Sequence, residues 1–179
     1  MARARHKGAS LSETRLDPHV VGDAGLVMVA TLPSQDANGS AYTMTQATIT
    51  RDAGIRETMA AYNAALNGGK TAAVLPLYTE DGVFMPPYSQ SAIGRSAVAA
   101  AYDKVFEELQ FDVKFTIAEL VVMAPNWSYV RTSSAGTTFH RSLGKKLAEA
   151  NQELFIFKKS DDGKWRIARY SFSPTNPPA

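Results

Sequence analysis

The sequence predicts an α+β fold in which three N-terminal helices lie on one face of a curved antiparallel sheet. Two observations carry that prediction. Apolar residues recur at helical spacing between residues 52 and 109 and then at a spacing of two from residue 111 onward. In addition, "SDDGK" (160–164) is an Asp-Gly hairpin signal that ties the last two extended runs together.

The elements follow in order. Ile55, Met59, Tyr62 and Leu66 fall on one face of a first helix, with Thr50 or Asp52 as its expected cap. Gly68-Gly69 supply the left-handed residues that end it. A second, short helix carries Val74, Leu75 and Tyr78, and Pro76 limits its regular length. In "YTEDGVFMPP" (78–87) the chain turns a corner and becomes extended; Glu80, Asp81 and the following glycine read as turn chemistry rather than a catalytic pair. Val98, Tyr102, Val105, Phe106 and Leu109 form the stripe of a third helix. The predicted strands are 111–123, 127–138, 147–159 and 164–173. Helices followed by an antiparallel meander make one layer on another. Long strands curling around helices leave a funnel whose mouth suits a small molecule.

Composition narrows the functional classes. The chain has 179 residues, 45% hydrophobic and 20% charged, with a net charge of +2 and no cysteine. A chain of this size stabilises its own core, since a ~150-residue domain buries about 68–70% of its unfolded surface. Without cysteine there are no disulfides, thiolate metal sites or cysteine nucleophiles, which suits a reducing cytoplasm. No window gathers the basic residues that phosphate neutralisation requires, so no nucleic-acid partner is expected. No apolar run approaches the ~18–20 residues of a membrane helix, so a soluble protein is expected. His140 is the lone histidine of the predicted domain and reads as a loop residue; neither metal nor cofactor is expected. "NGGKT" (67–71) resembles the end of a phosphate loop, but alanine stands at position 64 and a helix, not a strand, precedes it.

Residues 1–44 read as a poorly ordered extension, lacking sustained periodicity and ending in the turn-rich "PSQDANGS". Residues 45–179 form the predicted domain, with Met44 as a candidate start.

"YNAALNGGKTAAVLPLYTEDGVFMPP", "GRSAVAAAY" and "KWRIARYSFSPTNP" resemble the SnoaL-like, ketosteroid-isomerase-like branch of the nuclear-transport-factor-2-like superfamily, and within it the SgcJ/EcaC-type proteins. The resemblance spans about residues 50–176. It implies a cone-shaped curved sheet wrapped around three N-terminal helices, and commonly a homodimer through the outer sheet face. The branch holds isomerases, cyclases and dehydratases as well as non-catalytic modules, so the fold cannot name the reaction. The implied function is a metal-independent enzyme acting on a hydrophobic polyketide- or steroid-like ligand, or a non-catalytic binding or dimerisation module.

Tyr62 matches the family's oxyanion-donating tyrosine. At the position of the proton-shuttling carboxylate this chain has Met85-Pro86-Pro87, and proline cannot titrate. Glu149 and Glu153 are the nearest candidates for a second acid. Arg131 lies mid-strand on a face with Trp127, Tyr129 and Ser133, and Glu153 on the next strand is its expected partner. If that face lines the cone, Arg131 binds an anionic or carbonyl group; if not, it belongs to solvent or a dimer interface. The candidate catalytic set is therefore Tyr62, Arg131 and Glu153. Phe84, Met85, Tyr88, Tyr129 and Asn151 are the candidate pocket walls.

Overall fold

The computed structural model describes residues 46–176, with the side chains of residues 46–52 left undescribed. The expectations for residues 1–44 therefore lie outside the described residues, as do the side chains of Thr50 and Asp52. The described residues belong to one unit, Met44–Ala179. Its elements are α1 (Gln46–Gly68), α2 (Thr71–Val74), a 3₁₀ turn (Leu75–Leu77), β1 (Tyr78–Met85), β2 (Ala92–Ile93), α3 (Arg95–Glu108), β3 (Leu109–Ala124), β4 (Trp127–His140), β5 (Lys145–Lys159) and β6 (Trp165–Pro174). Among the described residues no helix is long and apolar enough to cross a membrane.

One six-stranded sheet runs in the order β2-β1-β6-β5-β4-β3. All neighbours are antiparallel except β1 and β6. The helix ends where its glycines predict: Gly69 has φ +62° and its N–H donates to Leu66 O at 3.1 Å. The hairpin at 160–164 closes with Gly163 at φ +79° and Ser160 N–H donating to Lys164 O at 2.9 Å. Two expectations shift. The backbone of α1 is already helical at Gln46, so Thr50 and Asp52 lie inside the helix rather than at its start.

The second shift concerns "YTEDGVFMPP". It is strand from its first residue, with an irregularity between Tyr78 and Val83 where the ladder to β6 breaks. Gly82 is needed there, because a Cβ would stand 2.9 Å from both Thr79 O and the Tyr78 ring. The carboxylates point outward: Glu80 pairs with Arg95 at 2.7 Å and Asp81 lies 3.8 Å from Arg169. The Thr79 hydroxyl, helped by Arg169 and Lys158, holds Asp81 below its usual range. The pair is thus a bulge anchored by arginines.

The free edge of β3 is covered at Val113 and Phe115. Asn63 and Asn67 stand one turn apart on α1, and both donate to Val113 O at 2.8 Å. In return Val113 N–H donates to Asn67 Oδ1 at 3.1 Å and Phe115 N–H to Asn63 Oδ1 at 3.2 Å. Side-chain amides continue the ladder that no seventh strand provides, blunting an edge that would otherwise template pairing. The same bonds tie α1 across the sheet, so that its apolar face meets the inner face of β3 to β6. On β4, Gly136 permits the close crossing of β3; a Cβ there would fall 2.1 Å from Asp112 O.

Ring packing fills the core between helices and sheet. Tyr62 meets Phe115, Phe155 and Tyr170 edge-on, with centroids 5.7, 5.4 and 5.5 Å away. Phe155 stacks on Tyr170 at 4.1 Å, and Phe84 stacks on Tyr102 at 4.9 Å.

Candidate functional site

Inside the cone lies a cavity of about 140 Å³. Alternate residues of β3 (Leu109, Phe111, Val113, Phe115) form one wall, because a strand presents every second side chain to the same face. Tyr62 and Leu66 come from α1, Tyr102 and Val105 from α3, Phe84 from β1, and Tyr170 and Phe172 from β6. Ser134, Glu149 and Asn151 make a polar patch in this otherwise apolar lining. An apolar cavity of about 150 Å³ holds one benzene molecule, so the space matches a single ring.

Four buried tyrosines converge at one side. Tyr62 Oη lies 2.7 Å from Tyr102 Oη, and Tyr78 Oη lies 2.9 Å from the same atom. Three hydroxyls joined by two bonds have one proton to spare. Tyr78 does not line the cavity, whereas Tyr62 does. When the chain runs Tyr78 to Tyr102 to Tyr62, the spare O–H is that of Tyr62 and is available to a ligand oxygen. Burial raises all four hydroxyls above the ordinary tyrosine range; the Tyr102 hydroxyl bonded to Tyr62, and the neighbouring Tyr170 hydroxyl, pull its value part of the way back. At neutral pH they are donors.

The polar patch is built by β5 and β4. Glu149, Asn151 and Glu153 share the inner face and oppose Gly136, Ser134 and Thr132. Glu149 accepts from Asn151 Nδ2 at 2.8 Å and from Thr138 Oγ1 at 3.1 Å. Asn151 Nδ2 also lies 3.4 Å from Ser134 Oγ. Glu153 accepts from Thr132 Oγ1 at 2.5 Å. Burial raises the Glu153 carboxyl above the usual range, the hydroxyls of Ser134 and Thr132 oppose that rise, and Glu149 adds to it.

The candidate residues separate cleanly. Tyr62, Phe84 and Asn151 line the cavity, and Glu153 stands beside Asn151 on the inner face without lining it. Arg131 is on the opposite face: its Nε donates to Glu119 Oε2 at 3.2 Å, and its side chain is 58% exposed. The expected Arg131–Glu153 pair is therefore not formed, since Glu153 is opposite Thr132 and the residue after it has turned to the other side. Tyr129 shares the outer face and donates to Glu119 Oε1 at 3.1 Å. Met85 follows the inward Phe84 and opposes Ser171 on the outer face. Tyr88 is 100% exposed at φ +60° in the β1–β2 connection and lines no part of the cavity. Pro86 does line it, at the place where a shuttling carboxylate was sought.

Sequence reasoning read Tyr102 only as a helix stripe residue, because a buried phenol and a buried leucine give the same periodicity. Its convergence with Tyr62 and Tyr78 depends on pairing between distant segments.

A curved, unclosed sheet wrapped over helices, with an inward cavity of this kind, is the cone of the nuclear-transport-factor-2-like proteins. The chain belongs to the SnoaL-like domain family, whose profile matches residues 59–168. It is similar to a ketosteroid isomerase-like protein from Erwinia carotovora atroseptica SCRI1043, at 38% identity over 70% of this chain and 96% of that one, with a TM-score of 0.67. A protein of Novosphingobium aromaticivorans DSM 12444, provisionally named a scytalone dehydratase, shares the fold at 16% identity over 74% and 89% of the two chains, with a TM-score of 0.66. So does a nuclear transport factor 2-like superfamily protein of Salmonella enterica serovar Typhimurium LT2, at 17% identity over 74% and 96%, with a TM-score of 0.64. No curated protein matches the chain.

Proposed function

We propose that this protein is a metal-independent enzyme that moves a proton next to a carbonyl or hydroxyl group of a small ring compound, in the manner of an isomerase or dehydratase. The observation that supports this is one cavity lined both by Tyr62, at the end of a chain of three bonded hydroxyls, and by Glu149. Tyr62 donates to the oxygen on which negative charge develops, and a preformed donor in a dry site contributes most at that moment. Glu149, held by Thr138 and Asn151, accepts the proton and returns it. The carboxylate role, absent at Pro86, is thereby assigned to β5. The volume favours a single-ring substrate over the steroid-like one that the resemblance implies.

The test is the conversion of 3-cyclohexenone to 2-cyclohexenone, followed by proton NMR. The full chain should accelerate it, and Glu149→Gln or Tyr62→Phe should each lower the enzymatic rate by about 10²-fold or more. A rate equal to buffer for the wild-type chain would sink the isomerase form of the reading. A second reading, a non-catalytic binding module, is favoured by Pro86 in the cavity wall. It predicts that 3-cyclohexenone binds without turnover. We further place the chain near the SgcJ/EcaC-type proteins, as a cytoplasmic homodimer through the outer sheet face. Its shared motifs, lack of cysteine, and half-exposed Leu154 and Met123 support that placement.

A further inference from the structure

The inner polar patch contains two oxygens with no hydrogen-bond partner. Asn151 Oδ1 and Glu153 Oε1 are both buried and unpaired, on side chains that are only 7% and 3% exposed. Buried acceptors of this kind are costly to leave unmade, and few are found in native interiors. The Ser134 hydroxyl, which accepts from Asn151, has one proton to give and cannot satisfy both oxygens. The Asn151 amide nitrogen is committed to Glu149 and Ser134, and the second Glu153 oxygen already accepts from Thr132. The patch therefore offers acceptors in excess of donors: the Glu149 carboxylate, the Asn151 carbonyl and the Glu153 carboxylate. The tyrosine side of the same cavity is the reverse, since its three joined hydroxyls hold one proton more than their two bonds use.

From this polarity we infer that the ligand is a single ring carrying a hydroxyl on the β5 side and a carbonyl oxygen on the Tyr62 side, the hydroxyl donating to Asn151 Oδ1. The inference rests on the small-molecule reading above and adds the class of compound. Asn151 is the specificity residue: it lines the cavity, and its unpaired Oδ1, buried rather than open to that space, accepts only, so the amide turns to meet the ligand hydroxyl. Glu153, behind it on the same face, holds Thr132 and supplies the second unpaired acceptor. A site built around an acceptor rejects the analogue lacking the donor, since the buried oxygen is then left unpaired.

The probes are 3-hydroxybenzaldehyde and benzaldehyde, which differ by one hydroxyl, titrated into the full chain with dissociation constants read from backbone amide shifts. The wild-type chain should bind the hydroxylated probe about tenfold or more tightly, as pairing a buried orphan acceptor allows. Asn151→Leu should erase that preference and leave benzaldehyde bound as well as before, or better. Asn151→Asp keeps an acceptor and should keep the preference, which covers the case in which the leucine variant fails to fold. Equal affinity of the two probes for the wild-type chain would overturn the inference. It would mean that a carboxyl proton on Glu153 already satisfies Asn151 internally. A preference that survives Asn151→Leu would overturn it too. Benzaldehyde separates the levels of failure. If it binds and weakens in Tyr62→Phe while the hydroxyl adds nothing, only the donor inference falls. If neither probe binds, the cavity reading falls with it.

Discussion

The inner and outer faces of β4 and β5 are made from alternate residues of the same two strands, yet they have opposite chemistry. Inward stand Ser128, Val130, Thr132 and Ser134, opposite Phe157, Phe155, Glu153 and Asn151. Outward stand Trp127, Tyr129, Arg131 and Ser133, opposite Lys158, Ile156, Leu154 and Gln152. The outer polar groups satisfy one another in water: Glu119 takes a bond from both Tyr129 and Arg131, and Lys158 lies 5.7 Å from the Trp127 ring centre. The inner ones lack water, so each carboxylate is clamped by a hydroxyl or amide and two acceptors stay unpaired. Charge on the outside is held loosely and contributes little. On the inside the Glu153 carboxyl is constrained, and its protonation is coupled to folding.

That contrast can be broken at the core first. Phe155 is fully buried and touches Tyr62, Phe115, Phe157 and Tyr170. Phe155→Ala should cost about 3–5 kcal/mol in denaturant unfolding, the usual range for an aromatic truncation that leaves a cavity. A loss below about 1 kcal/mol would mean that the ring cluster is loosely packed.

The next effect is one of pH. A carboxyl whose folded value is raised is protonated in the native state where the unfolded chain has already released the proton. Native Glu153 then binds more protons than unfolded Glu153, and stability falls as pH rises from the ordinary glutamate value through the raised one. Below that window the favourable contribution is fully present. Urea midpoints measured across it should decline with pH in the wild-type chain and decline less in Glu153→Gln. An identical slope in both would remove Glu153 as the source.

The smallest change belongs to the outer face. Arg131→Ala removes an exposed ion pair and should alter stability by less than about 1 kcal/mol. It should leave the affinity for benzaldehyde unchanged. A weakened affinity would place Arg131 in contact with the ligand after all. Leu154→Arg on the same face leaves the fold intact and, if that face joins two copies, halves the mass seen by light scattering.

The fold was legible because its signals are local. The switch from helical to strand periodicity, Gly68-Gly69 and the Asp-Gly hairpin each act over a few residues, and the four long strands appear within a few residues of their predicted limits. "YTEDGVFMPP" was legible only in part: its carboxylates are indeed turned away from the cavity, but by a bulge anchored on Arg95 and Arg169, partners 15 and 88 residues away that no local pattern reveals.

The sequence by itself determined which residues of each strand share a face, because a period of two follows from the pleat. It grouped Arg131 with Tyr129, and it put Asn151 with Glu153. Only the tertiary structure decided which group faces inward. That choice depends on where α1 lies, and α1 is fixed by Asn63 and Asn67 bonding to Val113 and Phe115 across the free edge of β3. Such bonds join segments about fifty residues apart. Their energy exists only once the chain has brought them together, so no window of sequence carries it.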